Sequence, residues 1–188
     1  MGGKPGQAGA GGAPRVVDAA AESDSGDADA SAQTYCGADG GLLMLPWDAV
    51  AGCTWVRGSL LLPDWGESSL PLQALEGVDE NLRFFRPHNL TSMRGLERLR
   101  HVGGELGISH DDSGRLSSLD GLEALRECGS LHISSNSGLT HLRGLRGLEV
   151  VHGDVTITGN ASLPQSEIDA LLSHVEVRGV ITIRDNKK

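Results

Sequence analysis

An apolar triplet recurs through this 188-residue chain at a nearly constant interval. The copies are Leu60-Leu61-Leu62, Leu82-Arg83-Phe84, Leu106-Gly107-Ile108, Leu131-His132-Ile133, Val155-Thr156-Ile157 and Ile181-Thr182-Ile183. Their first residues lie 22, 24, 25, 24 and 26 positions apart. Alternation with period 2 describes a strand with one buried face. A unit this short cannot bury its own apolar face, but stacked copies can. Five of the six triplets are preceded two residues earlier by a glycine: Gly58, Gly104, Gly129, Gly153 and Gly179. That placement suits a tight backbone turn into the strand.

Between triplets the apolar period changes to three. The runs are Leu90-Met93-Leu96-Leu99-Val102, Leu116-Leu119-Leu122-Leu125-Cys128 and Leu139-Leu142-Leu145-Leu148-Val151. Period three predicts short 3₁₀-like return segments in place of free α-helices. The expected fold is therefore mainly β: a right-handed parallel β solenoid, leucine-rich-repeat-like, of about five to six coils. The third position after each inward strand end is also regular: Asp111, Asn136, Asn160 and Asn186. Stacking aligns these side chains into a polar ladder that can bond backbone groups leaving the sheet. The second coil departs from the pattern. Asn81 stands where glycine is expected, and Phe84-Phe85-Arg86-Pro87 predicts a different turn.

The repeat starts at Tyr35. Residues 1–34 are rich in Gly and Ala, carry Asp18, Glu22, Asp24, Asp27 and Asp29, and offer almost no large side chain to bury apart from Val16 and Val17. Such a segment is expected to be disordered, a spacer or a dispensable leader ahead of a solenoid over 35–188. It lacks the apolar core of a secretory signal. No run of 18 apolar residues occurs, so no membrane-spanning helix is expected. The net charge of −9 argues against nucleic acid as a partner. Three cysteines allow at most one internal bridge and a spare thiol. The register gives Cys128 the core position of Val102 and Val151, as a small hydrophobe.

The repeated motif Gly-x-Leu-x-Ile-x-x-Asn, followed by Leu-x-x-Leu-x-Gly-Leu-x-x-Leu-x-x-Val, resembles the receptor L-domain. This is the leucine-rich-repeat-like module of receptor ectodomains and many bacterial surface proteins. Residues 119–125 (LDGLEAL) and 142–148 (LRGLRGL) carry the resemblance, as does the stretch Cys53-Thr54-Trp55-Val56-Arg57-Gly58-Ser59-Leu60. The resemblance implies a bridge between Cys36 and Cys53, a closing helix within 163–175 and a place outside the cytoplasm. A bridge implies an oxidising compartment.

No chemical constellation emerges. HExxH, CxxC and the phosphate-binding P-loop motif are absent, and the register stacks no two histidines on adjacent coils. Ser109-His110-Asp111 places alternate side chains on opposite faces, so it cannot converge as a triad. No metal or cofactor is expected. The mid-strand outward column reads Leu61, Arg83, Gly107, His132, Thr156, Thr182, with Pro63, Phe85, Glu105 and Asp154 among its flanks. No carboxylate pair forms there, so a polysaccharide-cleaving β-helix is a distant alternative. The expected function is noncatalytic recognition of a protein or glycan, with Leu61, Arg83, Phe85 and His132 as candidate ligand-binding residues. A structural spacer of the envelope or matrix is the alternative. The sequence leaves ligand and oligomeric state open.

Overall fold

A computed structural model describes residues 33–44, 50, 52–63 and 67–187, without the side chains of 38–40 and 43–44. The expected disordered tail, apart from Gln33 and Thr34, lies outside the described residues. Thr34 already belongs to the first coil, because it accepts a bond from the Thr54 amide and donates its own amide to the Thr54 hydroxyl.

The strands are β1 (Tyr35–Met44), β2 (Trp55–Pro63), β3 (Gly77–Val78), β4 (Leu82–Phe85), β5 (His101–Ser109), β6 (Glu127–Ser134), β7 (Val150–Val151), β8 (Val155–Thr158), β9 (Glu176–Val177) and β10 (Ile181–Arg184). All pairings are parallel. The result is a β-solenoid of about six turns with little helix, as the triplet spacing predicts. Each turn carries two strand segments separated by a bend. One column runs β1-β2-β3-β5-β6-β7-β9; the other joins β4, β8 and β10 to the second halves of β2, β5 and β6. The first column and β1 were not visible in the triplets, since its segments at β3, β7 and β9 are only two residues long.

The return segments follow the period-three leucines. Backbone bonds reach back three residues in each of them: Leu75 to Leu72, Leu99 to Leu96, Leu125 to Leu122 and Leu148 to Leu145. Residues Arg143–Leu145 close into a 3₁₀ turn. In the fifth coil a helix, α1 (Gln165–Leu172), replaces this return and buries Ile168 and Leu171. Pro164 stands just ahead of it as the N-cap, in extended conformation. The inward leucines of successive coils, with Phe84, Met93 and Cys128, form one continuous core.

Two polar ladders lock the coils together. The expected one, at the strand exits, is present. Asn136 Nδ2 donates to the Ile108 carbonyl (3.0 Å), Asn160 Nδ2 to Ile133 (3.1 Å) and Asn186 Nδ2 to Ile157 (2.8 Å). Each asparagine also accepts a backbone amide from the coil before it: Asp111 N to Asn136, Asn136 N to Asn160, Asn160 N to Asn186. The residue before each rung is left-handed: His110, Ser135, Gly159 and Asp185 have φ of 64°, 56°, 70° and 57°. Arg86 shares this conformation at φ 55°, and its amide reaches Ser109 as that of His110 reaches Ser134. The second-coil turn is thus the same turn. Pro87 removes the rung's side-chain bonds and its amide donor.

The second ladder runs along the bend. Ser59 Oγ accepts the Asn81 amide, Asn81 Oδ1 the Glu105 amide, Ser130 Oγ the Asp154 amide and Asp154 Oδ1 the Val180 amide. This corrects the reading of Asn81. The glycine rung of the second coil is filled by Glu80, whose amide bonds Gly58 and whose carbonyl accepts Gly104. Asn81 sits one place further on, in the column of Ser59. It replaces no glycine. Among the described residues, no buried side-chain nitrogen or oxygen lacks a hydrogen-bond partner.

The Sγ atoms of Cys36 and Cys53 stand at disulfide distance, with Cα atoms 5.9 Å apart, and join β1 to the approach of β2. Cys128 is free and buried. Burial foremost, and the neighbouring Glu127 carboxylate, push its thiol up to about 12.

Candidate binding face

The pairing register sets Leu61 beside Arg83, Arg83 beside Gly107, Gly107 beside His132, His132 beside Thr156, and Thr156 beside Thr182. Pro63, Phe85 and Ser109 form the parallel row. The four candidate residues Leu61, Arg83, Phe85 and His132 line one cleft of about 260 Å³ on this face. Pro63, Phe84, Glu105, Gly107 and Ser109 complete its lining.

Gly107 makes the cleft. It leaves a gap in the outward column between Arg83 and His132, and a Cβ there would meet the Glu105 carboxylate and the Arg83 stem at 2.7 and 3.1 Å. Arg83 leans over the gap in a forked pair with Glu105 (Nε–Oε1 3.0 Å, Nη2–Oε2 3.3 Å). His132 is held by Ser134 through Nε2 at 2.8 Å. Phe85 points outward, as expected, but is half covered. The left-handed His110 brings its ring to 4.9 Å from that of Phe85, and the Arg86 guanidinium lies 5.0 Å over it. The site is therefore a prearranged apolar notch rimmed by one ion pair and one imidazole.

The chain matches no family model, no curated protein and no solved structure in the three comparisons made. The resemblance to the receptor L-domain rests on the motif residues alone.

The first strand column carries a network that the sequence reading missed. The Trp55 ring covers Gly77, stacks on His101 at 5.7 Å and donates Nε1 to Asp79. His101 Nδ1 lies 3.0 Å from Glu127 Oε1, and His152 Nε2 lies 2.9 Å from Glu127 Oε2. Arg178 Nη1 donates to His152 Nδ1 at 3.1 Å. That bond assigns the His152 ring the tautomer with its proton on Nε2. The two histidines are not on adjacent coils; they meet through the carboxylate between them. Their hydrogen bonds, that of His152 first, hold the Glu127 carboxyl below its usual range. The contact therefore contributes at neutral pH and is lost as pH falls through that lowered value. Its partners are part-exposed, so the contribution is small. Among the described residues, no group of three His, Cys, Asp or Glu side chains could hold a metal ion. No helix among them is long and apolar enough to cross a membrane.

Proposed function

We propose that this chain is a noncatalytic recognition module that works outside the cytoplasm and meets a protein or glycan ligand in the Gly107 cleft. The observation that carries the reading is convergence. Four residues drawn from three coils share one notch, on a sheet whose two edges are fixed by side-chain ladders. A rigid concave site with a few aimed polar groups limits the entropy lost on binding. The notch offers shape and an anchor pocket. The motif resemblance to receptor L-domains supports the same use, and the Cys36–Cys53 pair is compatible with an oxidising compartment.

The test is a screen of extracellular proteins and glycans, followed by the double variant Arg83→Ala, Phe85→Ala. Both side chains lie outside the core, so the variant is expected to keep its melting temperature. Affinity for a ligand found in the screen is expected to fall at least about tenfold. Unchanged affinity removes this cleft as the site.

The compartment has its own test, by intact mass on protein isolated from its own organism. Alkylation is expected to add no label to the native chain and one label, at Cys128, after unfolding without reduction. Reduction should raise the count to three. Three labels without reduction would place the chain in a reducing compartment and remove the extracytoplasmic reading.

A further inference from the structure

A second cleft, of about 230 Å³, opens on the opposite side of the solenoid, between α1 and the 3₁₀ turn of the preceding coil. Its floor is apolar: Leu142 and Leu171, with Ala170 at the edge. Its rim is cationic through Arg143 and Arg146, with His174 beside them. One acid lies in it. Glu167 accepts the Leu142 amide at 3.1 Å and faces His141 (3.6 Å) and Arg143 (3.9 Å). Glu167 is thus engaged, while the Arg146 guanidinium has no hydrogen-bond or ion-pair partner among the described residues. A cationic rim over an apolar floor selects an acidic segment with small apolar side chains, and the chain carries such a segment. Residues 16–29 read VVDAAAESDSGDAD: two valines, four alanines, and Asp18, Glu22, Asp24, Asp27 and Asp29, with no cation.

We propose that this cleft is the docking site of the chain's own residues 16–29, with Val16 and Val17 on the floor and Asp18 and Glu22 against Arg146 and Arg143. The reach is sufficient. The cleft stands about four strand spacings from β1, about 20 Å along the axis, and across the width of the solenoid. The stretch from Val17 to Gln33 spans about 50 Å when extended. Docking within the chain gains from high effective concentration, which offsets the ordering of the segment. The contact is electrostatic at a solvated rim, so salt weakens it.

The test uses the full chain with its cysteine pair intact and a nitroxide attached at Ser23→Cys. Amide signals of Arg143, Arg146, Ala170 and His174 are expected to lose most of their intensity at low salt. The loss should reverse at high salt and in the double variant Arg143→Glu, Arg146→Glu. The salt series needs no second variant, so it stands even where charge reversal perturbs α1. Broadening confined to the Tyr35 end, or to the Gly107 cleft, overturns the proposal. So does broadening that charge reversal leaves in place. Broadening seen only when labelled unlike copies are mixed also overturns it, because the segment then docks on a second copy.

Discussion

Gly121→Ala is expected to destabilise the solenoid by about 3 kcal/mol or more, seen as a lower denaturant midpoint at unchanged denaturant slope. Two terms combine. Gly121 has φ +112°, a conformation L side chains rarely adopt. A Cβ there would also press into the backbone carbonyl of Met93 in the coil before it. Neither can relax cheaply, because Met93 N donates to Asp120 O at 2.8 Å and pins the two return segments together. The glycine of the motif Leu-x-Gly-Leu is thus a close-approach position. Gly95 meets the Leu70 carbonyl and Gly144 the Leu119 carbonyl in the same way. The control is Gly52→Ala. Gly52 has nothing within 4 Å of a built Cβ, and its variant should stay within about 0.5 kcal/mol of the parent. Equal effects at the two positions would mean that the coils are not in contact at the motif glycine.

The repeat made the architecture legible because two periods alternate within each unit. Period two located β4, β8 and β10 and the second halves of β2, β5 and β6; period three located the returns. What escaped was whatever lacked a period. The first strand column shows only single apolar residues such as Val56, Val78 and Val151, which the sequence presents as the last beat of the preceding leucine run. With that column went the Trp55–His101–Glu127–His152 network. Trp55 and His101 are two coils apart in sequence and the later pairs one, and they meet only once the two-residue segments are recognised as strands. Asn81 misled for a related reason. A polar residue near a missing glycine looks like its replacement, whereas the pairing register shifts it one place and gives it a bond to make.

The binding face was legible to the level of columns. Strand alternation alone sets Leu61, Arg83, Gly107 and His132 side by side, and an outward glycine between long side chains signals a notch. The depth of the notch was not legible. It depends on Glu105 drawing Arg83 over Gly107, and on a left-handed His110 folding back on Phe85. Both are side-chain choices made between coils. The second cleft was hidden altogether, because it forms where a helix replaces the 3₁₀ return and leaves a step between adjacent coils.

Asn136→Ala should be nearly as damaging as the motif glycine, at about 3 kcal/mol, although it deletes no apolar surface. The Asn136 side chain is fully buried and serves two backbone groups at once, the Ile108 carbonyl and the Asp111 amide. Removing it orphans both inside the protein, at roughly 1–3 kcal/mol each. Asn136→Asp should be no better. A carboxylate could still accept the Asp111 amide, but it cannot donate to Ile108 and would face the Asn160 Oδ1 atom, which lies 3.2 Å from Asn136 Nδ2. Asp111 shows why a carboxylate is tolerated one coil earlier. There it accepts from Leu116 N and the Ser113 hydroxyl, so it needs no donor of its own. The comparison is Ser117→Ala, which loses one exposed hydroxyl bond to Thr91 O and should change stability by less than about 0.5 kcal/mol. Denaturant titration of the three variants separates two accounts of the fold. A large gap between Asn136→Ala and Ser117→Ala means that the ladder, and not leucine burial alone, holds successive coils in register. Similar midpoints would assign that role to the core.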